Sequence, residues 1–192
     1  MAILGEIEAK GFMRGMGTPA KLVALGLLLC AMPGSADDKN TGVSAGGKWM
    51  EFHAEDKMTA AQRVRFELPA DNDQGEDSAR VILYCTNGKL ELADFRPNTK
   101  MAEPNRPSWW SGKPQMSVRV RVNQSHSNHN WNWVNGHFLA MDKDTARQLI
   151  GSRIFKIEFQ TSDGPQIAEF SPLGLNLDRV KRYCSIKPEK PD

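Results

Sequence analysis

Histidine 126 opens the segment richest in groups that could do chemistry. Ser125-His-Ser-Asn-His-Asn-Trp-Asn-Trp-Val-Asn-Gly-His137 carries three imidazoles, His126, His129 and His137, the second three residues after the first and the third eight further on. Three imidazoles can hold a zinc ion tetrahedrally, with a water or Asp142 as fourth ligand, and a zinc-bound water would give a metal-assisted hydrolase. Against that stands a solvated polar loop, because the spacing matches no established zinc motif. The same stretch carries Trp131 and Trp133, and a second irregular stretch carries Trp109 and Trp110. Indoles on loops stack on sugar rings while amides read hydroxyls, so these four would suit a glycan ligand; otherwise they plug the open end of a small core. Arg119 and Arg121 project from one strand face, with Arg63, Arg65 and Arg80 as possible neighbours. Such a stripe can meet phosphate or carboxylate, or simply solvate a sheet face. Asp71, Asp73, Glu76 and Asp77 crowd one turn without the ligand order of a calcium loop. No Gly-x-Ser-x-Gly, His-Glu-x-x-His or phosphate-loop pattern occurs in the sequence.

These groups need a scaffold, and alternating segments together with short apolar runs supply one. Val64–Leu68, Arg80–Cys85, Lys89–Phe95, Met116–Val122, His137–Met141, Arg153–Phe159 and Gln166–Phe170 all read as strands. Asn87-Gly88 is a hairpin turn signal, because both positions tolerate positive φ. In Met116-Ser-Val-Arg-Val-Arg-Val122 the methionine and valines face the core and the arginines face out. Asp142–Ser152 reads as a short helix capped by Asp142 or Asp144 and ended at Gly151. A last helix starts near Asn176 and presents Leu177, Val180 and Cys184 on one face. Residues 96–115 and 123–135 read as irregular connections. The expected fold is mainly β: a β-sandwich or open barrel of about seven or eight short strands with two short helices.

Lys21 precedes an apolar run, Leu22–Met32, that is followed by Pro33-Gly34-Ser-Ala36. The run falls short of the ~20 residues that span a bilayer. The order of charged, apolar and small residues is that of a secretory signal peptide cleaved after Ala36. Glu6 and Glu8 suit such a leader poorly, which makes Met13 or Met16 alternative starts. Cys30 would be a lipid attachment site only if Leu29 before it were tolerated. The expected organisation is a leader over 1–36, a flexible tether over 37–48, a domain over 49–187 and a disordered tail over 188–192. Beyond residue 36 there remain 22 basic and 21 acidic residues, a net charge of +1. That leaves no general field for nucleic acid, and no second apolar run forms a transmembrane segment. Two of the three cysteines lie in the domain, and an oxidising compartment would join Cys85 to Cys184.

Trp49, Asp56-Lys-Met-Thr59, the strand ending in Cys85, Asn87-Gly88, Val118-Arg-Val-Arg121, Trp131 or Trp133, Phe138-Leu139, and Phe170-Ser-Pro-Leu-Gly-Leu175 before a helix ending in Cys184 form a pattern. It resembles the small exported type VI secretion-associated proteins of the VasI kind. The similarity spans roughly residues 49 to 185 on scattered positions. The longer Trp-Pro region and the His-Asn-Trp segment depart from it. The resemblance implies a periplasmic accessory protein without known catalysis, and no cofactor is expected. Three functions are therefore compared: a non-enzymatic envelope domain contacting a protein or glycan through Trp-bearing loops, an inhibitor or immunity protein against a secreted toxin or lysozyme, and the histidine-based hydrolase.

Overall fold

A computed structural model describes residues 41–73, 75, 77–104, 106–107 and 112–187. Residues 1–40 with Cys30, Glu76, Trp109, Trp110 and residues 188–192 lie outside the described residues. Eleven strands form one antiparallel sheet: β1 Val43–Gly46, β2 Trp49–Glu55, β3 Gln62–Pro69, β4 Arg80–Thr86, β5 Lys89–Arg96, β6 Arg106–Pro107, β7 Pro114–Val122, β8 Ser125–Val134, β9 Phe138–Met141, β10 Phe155–Thr161 and β11 Gly164–Phe170. Two short helices complete it, α1 Lys143–Gly151 and α2 Leu177–Cys184. The strand order is β1-β2-β3-β4-β5-β9-β8-β7-β10-β11, with β6 pairing to β7 outside this path. The sheet is not a closed barrel.

The sheet folds over a single core. Period-two alternation sends Val64, Phe66 and Leu68 of β3, Val81 and Leu83 of β4, and Phe95 of β5 inward, where all are buried. Met116, Val118 and Val120 of β7 and Phe155, Ile157 and Phe159 of β10 do the same. The two halves meet ring to ring. Phe95 lies edge-on to Phe159 at 5.0 Å and to Phe170 at 6.2 Å between centroids. The outer side of β11 is tied to the segment after β3: Asp71 donates its N–H to the Glu169 carbonyl, and the Asn72 side chain bonds both Ile167 O and Glu169 N. Asp71 also takes Lys48 and the Ser171 hydroxyl. The acidic turn thus helps to cover a sheet edge.

Four strands escape the sequence pattern. β1 lies inside the stretch expected to be a tether. Ala45 is buried there, and the Gly46-Gly47 turn sits against Gly174 so closely that a Cβ on Gly46 would stand 2.1 Å from the Gly174 carbonyl oxygen. β2 starts at Trp49, which is fully buried and donates Nε1–H to the Pro172 carbonyl at 2.9 Å. β6 lies within the expected irregular connection over 96–115. β8 occupies most of the expected loop over 123–135, because eight consecutive residues pair in register with β7 from Val122↔Ser125 to Gln115↔Asn132. A polar sequence still forms a strand when a neighbour satisfies its backbone.

The expected helix ends hold. Asp142 caps α1 by accepting from Thr145 N, and Asn176 caps α2 by accepting from Arg179 N. α2 brings Cys184 to Cys85 at the end of β4. Their Cα atoms are 5.1 Å apart and their sulfurs stand at bonding distance. Among the described residues no helix is long and apolar enough to cross a membrane.

Candidate functional site

Three consecutive strands send polar residues outward at the same level. Cross-strand register aligns Phe52 of β2 with Arg65 of β3, and Arg65 with Tyr84 of β4. One rung along, Glu67 faces Ile82 and Ile82 faces Asp94 of β5; beyond that, Arg80 faces Arg96. The Asn87-Gly88 hairpin, with φ of 49° and 78°, starts the β4–β5 pairing, and a one-residue register shift at Tyr84/Cys85 then brings Arg96 opposite Arg80. The outward side chains surround a cavity of about 650 Å³, to which Asn98 and His137 also contribute. A neighbouring cavity of about 440 Å³ shares Phe52, Arg65 and Tyr84 as its wall. Both volumes lie in the range of small-ligand sites.

Two of the guanidiniums lie over rings. Arg65 Cζ stands 4.3 Å above the Phe52 ring, and Arg96 Cζ lies 5.4 Å from Phe138 and 5.9 Å from Tyr84. Arg96 donates Nη2–H to the Tyr84 hydroxyl at 2.6 Å and Nε–H to Asp94 Oδ2 at 3.2 Å. Glu67 draws Arg65 Nε to 2.6 Å and Arg80 Nη1 to 3.6 Å. Asp94 is wholly buried, and its Oδ1 has no hydrogen-bond partner. Burial pushes its carboxyl up to about 6, against the opposing pull of Arg96. Tyr84 is also raised, by burial and then by the Asp94 charge. Burial works against the Arg96 cation, but Asp94 and Tyr84 outweigh it and hold the group above its ordinary value. Asp94 does not line the cavity but holds Arg96, which does; a buried, incompletely satisfied carboxyl is costly for stability alone, which makes the adjoining cavity the leading candidate site.

The residues singled out in the sequence disperse. His126 sits opposite Arg121 in the β7–β8 ladder, on the outer face. His129, an odd number of residues on, points to the other face, opposite buried Val118. His137, after the β8–β9 turn, lines the arginine cavity. Among the described residues no group of three His, Cys, Asp or Glu could hold a metal ion. The three-histidine site is therefore not formed, and strand alternation is the reason. His129 does reach Asp142, at 3.1 Å from Nδ1 to Oδ2.

Trp131 is a core residue, 1% exposed, whose Nε1–H donates to Asp142 Oδ2 at 3.1 Å. Its place opposite buried Met116 puts it inside, so it is not a ligand platform. Trp133 packs against the same core, half-buried. Arg119 pairs with Glu158 on β10, and Arg121 donates to Asn123 O. They line a separate outer cavity with His126 and Lys156. Arg63, Arg65 and Arg80 belong to the other half of the sheet, four or five strands away in the order β3-β4-β5-β9-β8-β7, so no single basic stripe exists. Arg63 instead pairs with Asp56 at 2.5 Å. The arginine cavity escaped sequence reasoning, although its signal is present: Arg65/Glu67, Ile82/Tyr84 and Asp94/Arg96 are the outward positions of three successive strands.

Compared with family models, curated proteins and solved structures, the chain matches none significantly.

Proposed function

We propose that this chain is an exported binding domain of the cell envelope, and that it holds an acidic glycan in the cavity of Arg65, Arg80 and Arg96. The reading of export rests on the leader-like order of residues 1–36 and on the cysteine pair. The resemblance to VasI-like accessory proteins agrees with it. One observation carries the ligand assignment: guanidiniums of β3, β4 and β5 converge with the Tyr84 phenol on a concave site of about 650 Å³. Planar forks suit a sugar carboxylate, and the Phe52 and Tyr84 rings offer faces for the sugar. The ligand seat thus moves from the Trp-bearing segments to the outer face of β2–β5.

Calorimetric titration of the purified chain with oligogalacturonate, with a neutral oligosaccharide as control, tests this. Binding should be selective for the acidic sugar. It should weaken about tenfold or more in Arg80→Met or Arg96→Met and remain in Arg119→Met. Equal affinity for the neutral sugar, or unaltered binding in both cavity variants, refutes the assignment. Cell fractionation tests export separately; retention of the full-length chain in the cytoplasm would remove that half of the reading.

A further inference from the structure

Ser127, His129 and Asp142 form a hydrogen-bonded series that the binding role does not use. Period-two alternation puts Ser127, His129 and Trp131 on one face of β8, opposite buried Val120, Val118 and Met116. Trp131 lies in the core, His129 is 22% exposed, and Ser127 is at the solvent end. Asp142 follows β9 and caps α1, which brings its carboxylate to the same rim. The Ser127 hydroxyl is 2.8 Å from His129 Nε2, and His129 Nδ1 is 3.1 Å from Asp142 Oδ2.

Each neighbour fixes the next. Burial raises the Asp142 carboxyl, but the Thr145 backbone N–H, the Thr145 hydroxyl, the Trp131 indole and His129 outweigh it and hold it below its ordinary range. Asp142 is thereby an acceptor. It accepts a hydrogen bond from Nδ1–H of His129, which leaves Nε2 as the acceptor for the Ser127 O–H. That is the tautomer and the order of contacts a general base needs to activate a serine hydroxyl.

We infer that Ser127, His129 and Asp142 constitute an acyl-transfer site acting on oxygen esters of small acyl groups, with Ser127 as nucleophile, His129 as base and Asp142 as the residue positioning it. Ser127 Oγ adds to the ester carbonyl carbon while its proton passes to His129 Nε2. The bond to the alcohol oxygen then breaks, and His129 returns the proton to that leaving oxygen. Water adds to the acyl-serine by the same path, and the acid and free Ser127 are regenerated. An ester fits because the proton His129 carries is all that its leaving oxygen requires. The substrate can be a group carried on a chain. Among the described residues, β8 pairs with β9 only through Asn132–Val134, so the β8 edge beside Ser127 has no strand partner on that side and could take an extended segment.

The test uses the full chain with 4-nitrophenyl acetate and, separately, a fluorophosphonate probe. The expected results are an adduct mapped to Ser127 and hydrolysis above that of free imidazole at equal concentration. Ser127→Ala, at an exposed position that leaves the fold intact by circular dichroism, should lose the adduct and about a hundredfold of the rate. His129→Gln should lose the ascending limb of the pH–rate profile. Asp142→Asn keeps a helix-capping side chain and should lower kcat with KM unchanged. Wild-type hydrolysis no faster than imidazole, or Ser127→Ala retaining the rate or the adduct, overturns the inference. The acidic-sugar titration is unaffected by either outcome.

Discussion

Asp94 combines complete burial, an oxygen without a partner and a carboxyl raised from 3.8 to about 6. Its replacement by asparagine should change how stability depends on pH. A native carboxyl of raised pKa binds its proton more tightly than the unfolded chain does. Stability from this group is therefore complete below pH 4 and declines as pH rises through 4 to 6. The displacement corresponds to ~3 kcal/mol of native-state penalty at pH 7, an order-of-magnitude value. Asp94→Asn keeps an acceptor for Arg96 Nε and removes the charge. The variant should exceed the parent in stability at pH 7 by at most ~3 kcal/mol, a figure already net of the pull of Arg96 on the charged carboxyl. The advantage should vanish by about pH 4. Asp56 and Asp142 are held low, so their contributions fade only as pH falls through their depressed values, below this window. Urea unfolding at half-unit steps from pH 4 to 7.5, followed by fluorescence of the buried Trp49 and Trp131, gives the difference curve. Parallel parent and variant curves across that range would refute the electrostatic account of Asp94.

Two further outcomes follow from the fold. Joining Cys85 to Cys184, 99 residues apart in sequence, should stabilise the oxidised chain by about 2–5 kcal/mol over the Cys184→Ser variant. Alkylation followed by intact mass should find both thiols blocked unless a reductant is added; ready alkylation of both without it would contradict the bridge. Gly174→Ala should destabilise by about 3 kcal/mol or more. Its φ is +96°, and the new Cβ would stand 2.8 Å from Gly47 Cα. A thermal midpoint equal to the parent's would show that the β1–β2 turn does not pack there.

Local residue chemistry was sufficient for much of the frame. Alternation marked β3, β5 and β7, a continuous apolar run marked β4, and short apolar-rich segments marked β9, β10 and β11. Side-chain acceptors at Asp142 and Asn176 marked where both helices begin, because a cap acts within three residues. The inward sets on β7 and β10 were readable for the same reason: a strand bordering a core writes its two faces into a period of two. Polar β8 was not readable. Its strand geometry comes from β7 across the ladder, and nothing in Ser-His-Ser-Asn-His-Asn announces that partner. Once the segment is a strand, the three histidines separate by face, while Ser127 and His129 align.

Sequence alone determined a mainly β chain with two capped helices and a single pair of domain cysteines, since alternation, capping and composition act over a few residues. Only the tertiary structure decided which distant side chains share a surface. Arg65, Arg80 and Arg96 meet because three strands pair in one register, and Arg119 and Arg121 stand apart because β8 and β9 intervene. Asp142 reaches His129 because α1 begins at the rim of β8. Those neighbours are set by sheet order and by the folding of the sheet over its own core, and no periodicity within one strand carries that information.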